Sequence, residues 1–179
     1  MMKNRYILPK IVIPEKYNLI LSSDLEKMDF MGEESVDIKI TKETNKISLN
    51  SSDITIISAS VMQNNNFTAE KIIYDKETQT VVFSFNKKIR KGKAILSIKF
   101  KGAINETMRG FYQSRYVLPN GSNKVMATTQ FEPNDARRAF PCFDEPDFKA
   151  KFSITLRIKK ELDALSNMPI KSQKINEDI

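Results

Sequence analysis

Met126–Phe152 reads MATTQFEPNDARRAFPCFDEPDFKAKF, and its punctuation decides the fold. Met126 to Glu132 reads as a strand, with Thr128, Gln130 and Glu132 on one face and Thr129 and Phe131 on the other. Pro133 has no N–H to donate and ends any central pairing. The sharp bend this imposes makes the Glu132-Pro133 peptide bond a candidate for the cis form. Asn134 and Asp135 can accept hydrogen bonds from nearby backbone N–H groups, which signals a turn or a helix start. Ala136 to Phe140 leaves room for one helical turn before Pro141. Asp144-Glu145-Pro146 marks a second turn, and Phe148 to Ile158 a returning strand. The unit is strand, compact loop, strand, in which the plain role of Arg137, Arg138, Asp144 and Glu145 is to staple the loop.

Working outward, the chain continues as short strands. Tyr17, Leu19 and Leu21 are apolar at alternate positions, and Val36, Ile38 and Ile40 alternate with Asp37 and Lys39, with Gly32 ahead of them read as a bend. Ile47 to Leu49 and Ile54 to Val61 are further strands, and Asn64 to Asn66 is a loop. Lys71 to Tyr74 and Val81 to Phe85 flank the turn DKETQ as hairpin arms. Leu96, Ile98 and Phe100 share one face of Ala94 to Phe100. Asn120-Gly121, between Tyr116–Leu118 and Lys124–Met126, is a strong hairpin signal. No segment sustains a 3.6-residue period. The expected fold is all-β, an antiparallel β-sandwich or saddle-like set of sheets with little helix.

Composition narrows the function. The 179 residues carry 40% hydrophobic and 28% charged side chains, a globular balance with no run long enough for a membrane span. MMKNRYILPK at the start lacks an apolar signal region, and one cysteine cannot form an internal disulfide, so a cytoplasmic location is expected. Asn-x-Ser/Thr sequons at Asn50, Asn66, Asn105 and Asn120 are treated as chance in an Asn-rich chain. Asn86 to Lys101 holds seven basic residues and no acidic one within a net charge of +7. Without an aromatic stacking platform it reads as a solvated turn with lysines guarding edge strands, so no nucleic acid and no membrane is expected as a partner.

MATTQFEPNDARRAFPCFDEPDFKAKFSITL resembles the signature of the N-terminal domain of gluzincin zinc aminopeptidases, the family of aminopeptidase N and puromycin-sensitive aminopeptidase. MRGFYQSRY at Met108–Tyr116, LPKIVIPEKYNLIL at Leu8–Leu21 and LSNMPI at Leu165–Ile170 match in the same order, so the resemblance covers nearly the whole chain. It implies a parent enzyme that removes N-terminal residues from peptides with a catalytic zinc. It also implies that Gln130 and Glu132 contact the substrate's free α-ammonium, although some relatives have glutamine at the second place.

The family's His-Glu-x-x-His helix and Gly-x-Met-Glu-Asn loop do not occur here, and the chain has no histidine at all. That excludes a two-histidine zinc site and any Ser-His-Asp or Cys-His machinery. Cys142, with no base to activate it, is expected to be structural. Residues 1–179 are therefore expected to be an N-terminal β domain that stops before the catalytic zinc domain, contains no catalytic residue, binds no metal by itself and is inactive alone. The polar end KSQKINEDI looks like a cut. The expected partners are the peptide's N-terminus and the absent catalytic domain. A non-catalytic interaction or scaffold module derived from the same family is the alternative. The intact TTQFEP run argues against it, since a scaffold has no need of a carboxylate beside an amide at that place.

Overall fold

The computed structural model describes residues 6–175. Eleven strands form three sheets among these residues, and the one helical segment is a single 3-10 turn, η1 (Ala136–Arg138). The largest sheet has six strands in the order β11-β1-β2-β8-β4-β5: β1 (Val12–Asp24), β2 (Asp29–Ile40), β4 (Ile54–Met62), β5 (Asn66–Thr68), β8 (Gly92–Ala103) and β11 (Lys151–Arg157). A three-stranded sheet runs β3 (Thr44–Asn50), β7 (Thr80–Ile89), β6 (Lys71–Asp75). A two-stranded ribbon pairs β9 (Gly110–Val117) with β10 (Asn123–Gln130). The fold is all-β, as the alternating pattern requires.

Two hairpins close in the same way. Asp24 Oδ1 accepts the Glu26 and Lys27 N–H groups, and Asp75 Oδ1 accepts those of Glu77 and Thr78. Each aspartate thus caps its own turn, and Met28 and Gln79 take the positive φ that finishes it. At the β9–β10 hairpin Gly121 has φ +82°, with Leu118 N–H donating to Ser122 O and Gly121 N–H to Leu118 O. The loop there spans five residues, longer than a two-residue Asn-Gly turn.

One core joins the sheets. Leu19, Val36, Ile38, Leu96 and Ile98 of the six-stranded sheet and Ile47, Val81 and Phe83 of the three-stranded sheet all belong to it. Across the layer, the Tyr74 hydroxyl accepts the Ile56 N–H at 2.7 Å, where β4 shifts register between Ile56 and Ser58.

Four details depart from the sequence reading. β1 begins at Val12, five residues earlier than the alternation showed, because Pro14 interrupts the pattern; the β11 pairing starts only at Lys16, so the missing N–H faces no partner strand. β11 runs parallel to β1, whereas only antiparallel pairing was expected. Gly32 is no bend: it lies inside β2 opposite Phe100, whose ring occupies the space a Cβ would need. Phe30 covers Gly102 reciprocally, with its ring 2.6 Å from where that residue's Cβ would fall. Finally, β7 and β8 are interior strands, so their lysines guard no edge. They line solvent-exposed faces, with Lys99 3.6 Å from Glu33 and Lys88 3.2 Å from Glu43.

Candidate functional site

β10 delivers Gln130 and Glu132 to the end of the ribbon. The strand stops at Gln130, two residues earlier than expected, and the Glu132-Pro133 bond is cis. Asp135 N–H then donates to Phe131 O at 2.8 Å, closing the turn. Phe131 turns inward against Phe140, 5.9 Å between ring centroids, and Phe140 in turn packs edge-on to Tyr17 and Phe152. Gln130 and Glu132 are left exposed. Neither side chain makes a hydrogen bond or ion pair with the described residues.

The loop behind them is heavily tied. Buried Arg137 donates through Nε to Asp144 Oδ2 at 2.8 Å and through Nη1 to Gln79 Oε1 at 3.3 Å. Arg138 donates through Nε to Asp135 Oδ1 at 3.0 Å and also pairs with Asp53. Asp135, itself buried, lies 4.0 Å from the Arg109 guanidinium as well. Glu145 Oε1 accepts the Leu8 N–H at 2.6 Å, which fastens the N-terminal segment to the loop. Asn50 and Cys142 exchange both backbone hydrogen bonds, 2.8 and 3.0 Å, so the loop is sewn to the end of β3. All four residues read as staples serve as staples.

Gly110 makes this junction possible. It faces Gln130 in the ribbon register with φ +66°, and a Cβ on it would press on Asp135 O at 3.0 Å and on the Arg138 side chain. The turn therefore sits directly on the first residue of β9.

The model of the peptidase M1 N-terminal domain matches residues 13–179. The chain belongs to that family. It is 42% identical to aminopeptidase M1 of Arabidopsis thaliana over 174 residues, 94% of this chain and 20% of the relative. It is 42% identical to mitochondrial aminopeptidase 2 of Saccharomyces cerevisiae over 179 residues, 97% and 18%. The puromycin-sensitive aminopeptidase of Caenorhabditis elegans is 36% identical over 168 residues, 93% and 18%. The chain thus spans about a fifth of the length of the curated relatives it matches.

Within this M1 N-terminal domain the electrostatics separate two sets of ionisable groups. Arg137, Arg138 and Arg109 are each engaged by a carboxylate behind the turn. The Cys142 thiol is pushed well up, chiefly by burial and then by Asp144 and Glu34, which keeps it a thiol and not a nucleophile. Tyr17 is pushed up by burial too, and its hydroxyl oxygen accepts the Phe143 N–H at 3.1 Å.

Sequence reasoning missed Glu34. It is 3% exposed in β2, facing Leu19 and Ile98 in the register, and neither carboxylate oxygen has a partner among the described residues. Burial drives its pKa well above the ordinary carboxylate value. The signal was present: Glu34 shares the parity of Val36, Ile38 and Ile40, so the same alternation that buries them buries it. Asp135, expected to accept backbone N–H groups, makes no such cap with its side chain and instead accepts from Arg138 Nε three residues on. Gln79 and Asp53 were missed, and they have no local pattern that would reveal them as loop anchors. Three of the four sequons are structurally occupied: Asn50 is buried, Asn105 donates its amide to Arg109 O and Phe111 O, and Asn120 Oδ1 accepts the Ser122 N–H and hydroxyl.

Proposed function

We propose that this chain is the substrate-end-recognition domain of a zinc aminopeptidase and that Gln130 and Glu132 bind the free α-ammonium of the peptide. The observation that carries the reading is Glu132 itself. Its carboxylate is exposed and has no cationic partner among the described residues, while three arginines nearby are held by other acids. A carboxylate left open while the loop's arginines are held by other acids suits a positive group that arrives from outside.

An exopeptidase needs a fixed distance between the α-ammonium and the scissile carbonyl. A glutamate is ionised at a pH where an α-amino group is still largely protonated, so the pair is a charge-assisted hydrogen bond. Gln130 adds an acceptor for the ammonium and donors for the first peptide carbonyl. The tied loop and the Gly110 junction hold both side chains at the ribbon's end without consuming them.

The chain's own residues do not fit a zinc site. There is no histidine, the Cys142 thiol is held protonated, and no group of three His, Cys, Asp or Glu side chains gathers among the described residues. The metal and the general base belong, in this reading, to polypeptide beyond these 179 residues, and the domain alone is inactive. A cytoplasmic location accords with the single buried, unpaired cysteine.

The test is a Glu132→Ala substitution in the full-length enzyme. Losing a hydrogen bond between charged partners costs about 1.5–3 kcal/mol, so affinity for free-amine peptides should fall about ten- to a hundredfold. Nα-acetylated peptides should bind wild type and variant alike. Unchanged affinity for free-amine peptides would sink the assignment.

A further inference from the structure

The fold gathers cations at the end of the molecule opposite the candidate site. The β7–β8 hairpin carries Lys87, Lys88, Arg90 and Lys91 around its tip, all exposed. Thr44 pairs with Ile89, which sets the β2–β3 turn and its exposed Lys42 and Lys46 against the same tip. Lys39 of β2 and Lys93 of β8 complete the group and stand directly opposite each other in the register. Residues 39–46 and 86–93 thus hold eight cations and one acid, Glu43, which takes Lys88 at 3.2 Å. The other seven cations form no ion pair among the described residues.

Like charges directly opposite destabilise a sheet, and the Lys39–Lys93 pair carries that cost. Acids fit on this face, since Lys99 is answered by Glu33 three rows away. The tip is also held in shape. Gln63 donates through Nε2 to Arg90 O at 3.0 Å and accepts the Arg90 N–H at 3.2 Å, which fixes the backbone that presents the cations. The candidate-site loop is sewn to Asn50, which pairs with Thr80 at the other end of β7. The ten residues of β7 put about 30 Å between that junction and the basic tip, so the cations serve something other than the peptide's N-terminus.

The layout selects the partner. Lys39 lies between buried Ile38 and Ile40 and so points out from the six-stranded sheet, whereas Lys46, beside buried Ile47, points out from the three-stranded one. A bilayer or a rigid duplex meets one side of such an end, but a flexible chain can pass over the tip from one outer face to the other. Single-stranded nucleic acid needs aromatic surfaces to stack on, and neither basic segment contains an aromatic residue. Ile95 and Met62, partners in the register and 40% and 46% exposed, adjoin Lys93 and offer such a chain one apolar contact.

We propose that this basic end docks an extended acidic segment of another protein, rich in Asp and Glu with an apolar side chain among them. Its carboxylates lie between Lys39 and Lys93 and continue over Arg90 and Lys91 toward Lys46, offsetting the like-charge repulsion. The proposal stands apart from the reading of Gln130 and Glu132.

The test titrates the 179-residue chain at about 0.15 M salt with acetyl-Glu-Asp-Glu-Glu-Leu-Glu-Glu-Asp-Glu-amide, and with the same peptide carrying Gln and Asn for its acids. The acidic probe should bind and the neutral one should not. Lys39→Gln with Lys93→Gln, and separately Lys46→Gln with Arg90→Gln, should each weaken binding about tenfold. Lys124→Gln, on the β9–β10 ribbon, should leave it unchanged. Lys39→Gln alone should raise Tm while lowering affinity, because it removes a like-charge pair from the folded state. The proposal is overturned if the acidic probe does not bind, if Lys124→Gln weakens it equally, or if only one of the two double variants has an effect. Tighter retention on phosphatidylserine–phosphatidylcholine vesicles or on duplex RNA than on the peptide would overturn it in favour of a membrane or a nucleic acid. Loss of probe binding when the protein is extended to its relatives' length would overturn it too, by showing that its own polypeptide covers this end.

Discussion

Glu34 and Glu132 are the same residue type with opposite fates. Glu132 follows a strand end and stays in water, whereas Glu34 occupies an inward position of β2 between Leu19 and Ile98. An isolated carboxylate in that setting keeps its proton, because ionising it without a partner would cost far more. The sign of the resulting pH dependence follows from linkage. Burial raises the folded-state pKa above the unfolded value, so the proton's contribution to stability is complete below the unfolded pKa and is lost as pH rises through the folded one. Tyr17 and Cys142, also neutral and also pushed up by burial, face the same interior, with Asp144 and Arg137 beyond them. We expect Glu34→Gln to remove this dependence. The difference in Tm, variant minus wild type, should grow more positive from the acid side toward alkaline pH. A difference independent of pH, measured by thermal unfolding across that range, would refute the buried neutral acid.

At the scale of elements, the β2–β8 pairing shows how side chains fill a sheet. Phe100 lies over Gly32 and Phe30 over Gly102, two reciprocal cross-strand pairs whose rings meet edge to face at 6.4 Å. Each glycine makes room for the ring opposite. Gly32→Ala places a methyl inside the Phe100 ring, and overpacking of this kind costs about 1–3 kcal/mol. The checking measurement is denaturant unfolding of Gly32→Ala alone and together with Phe100→Leu. The second substitution should recover part of the loss by freeing the space. A double variant whose loss equals the sum of the two single losses would show that the ring is not the obstacle.

For the whole molecule, the chain builds one shared core and leaves its chemistry incomplete. Without histidine it has no ligand set for catalytic zinc. Dialysed 179-residue protein should contain far less than one zinc per molecule by metal analysis and should not hydrolyse aminoacyl amides; one-to-one zinc with chelator-sensitive turnover would reverse that. The fold class was legible in the sequence because strand alternation is local: the buried faces of β2 and β8 are written in Val36, Ile38, Leu96 and Ile98. The staples Arg137, Asp144 and Glu145 were legible for the same reason, being dense polar residues in a short, proline-bounded loop. The candidate site residues, Gln130 and Glu132, stood out by resemblance, not by any pattern of their own. Tertiary structure alone decided the parallel pairing of β11, since alternation carries no strand direction. It decided the role of Gly32, since a glycine opposite an aromatic ring and a glycine in a bend look alike along the chain. It also decided that Arg138 answers to Asp53, 85 residues away, because the attraction between two charges depends on their distance in space and not on their separation in sequence.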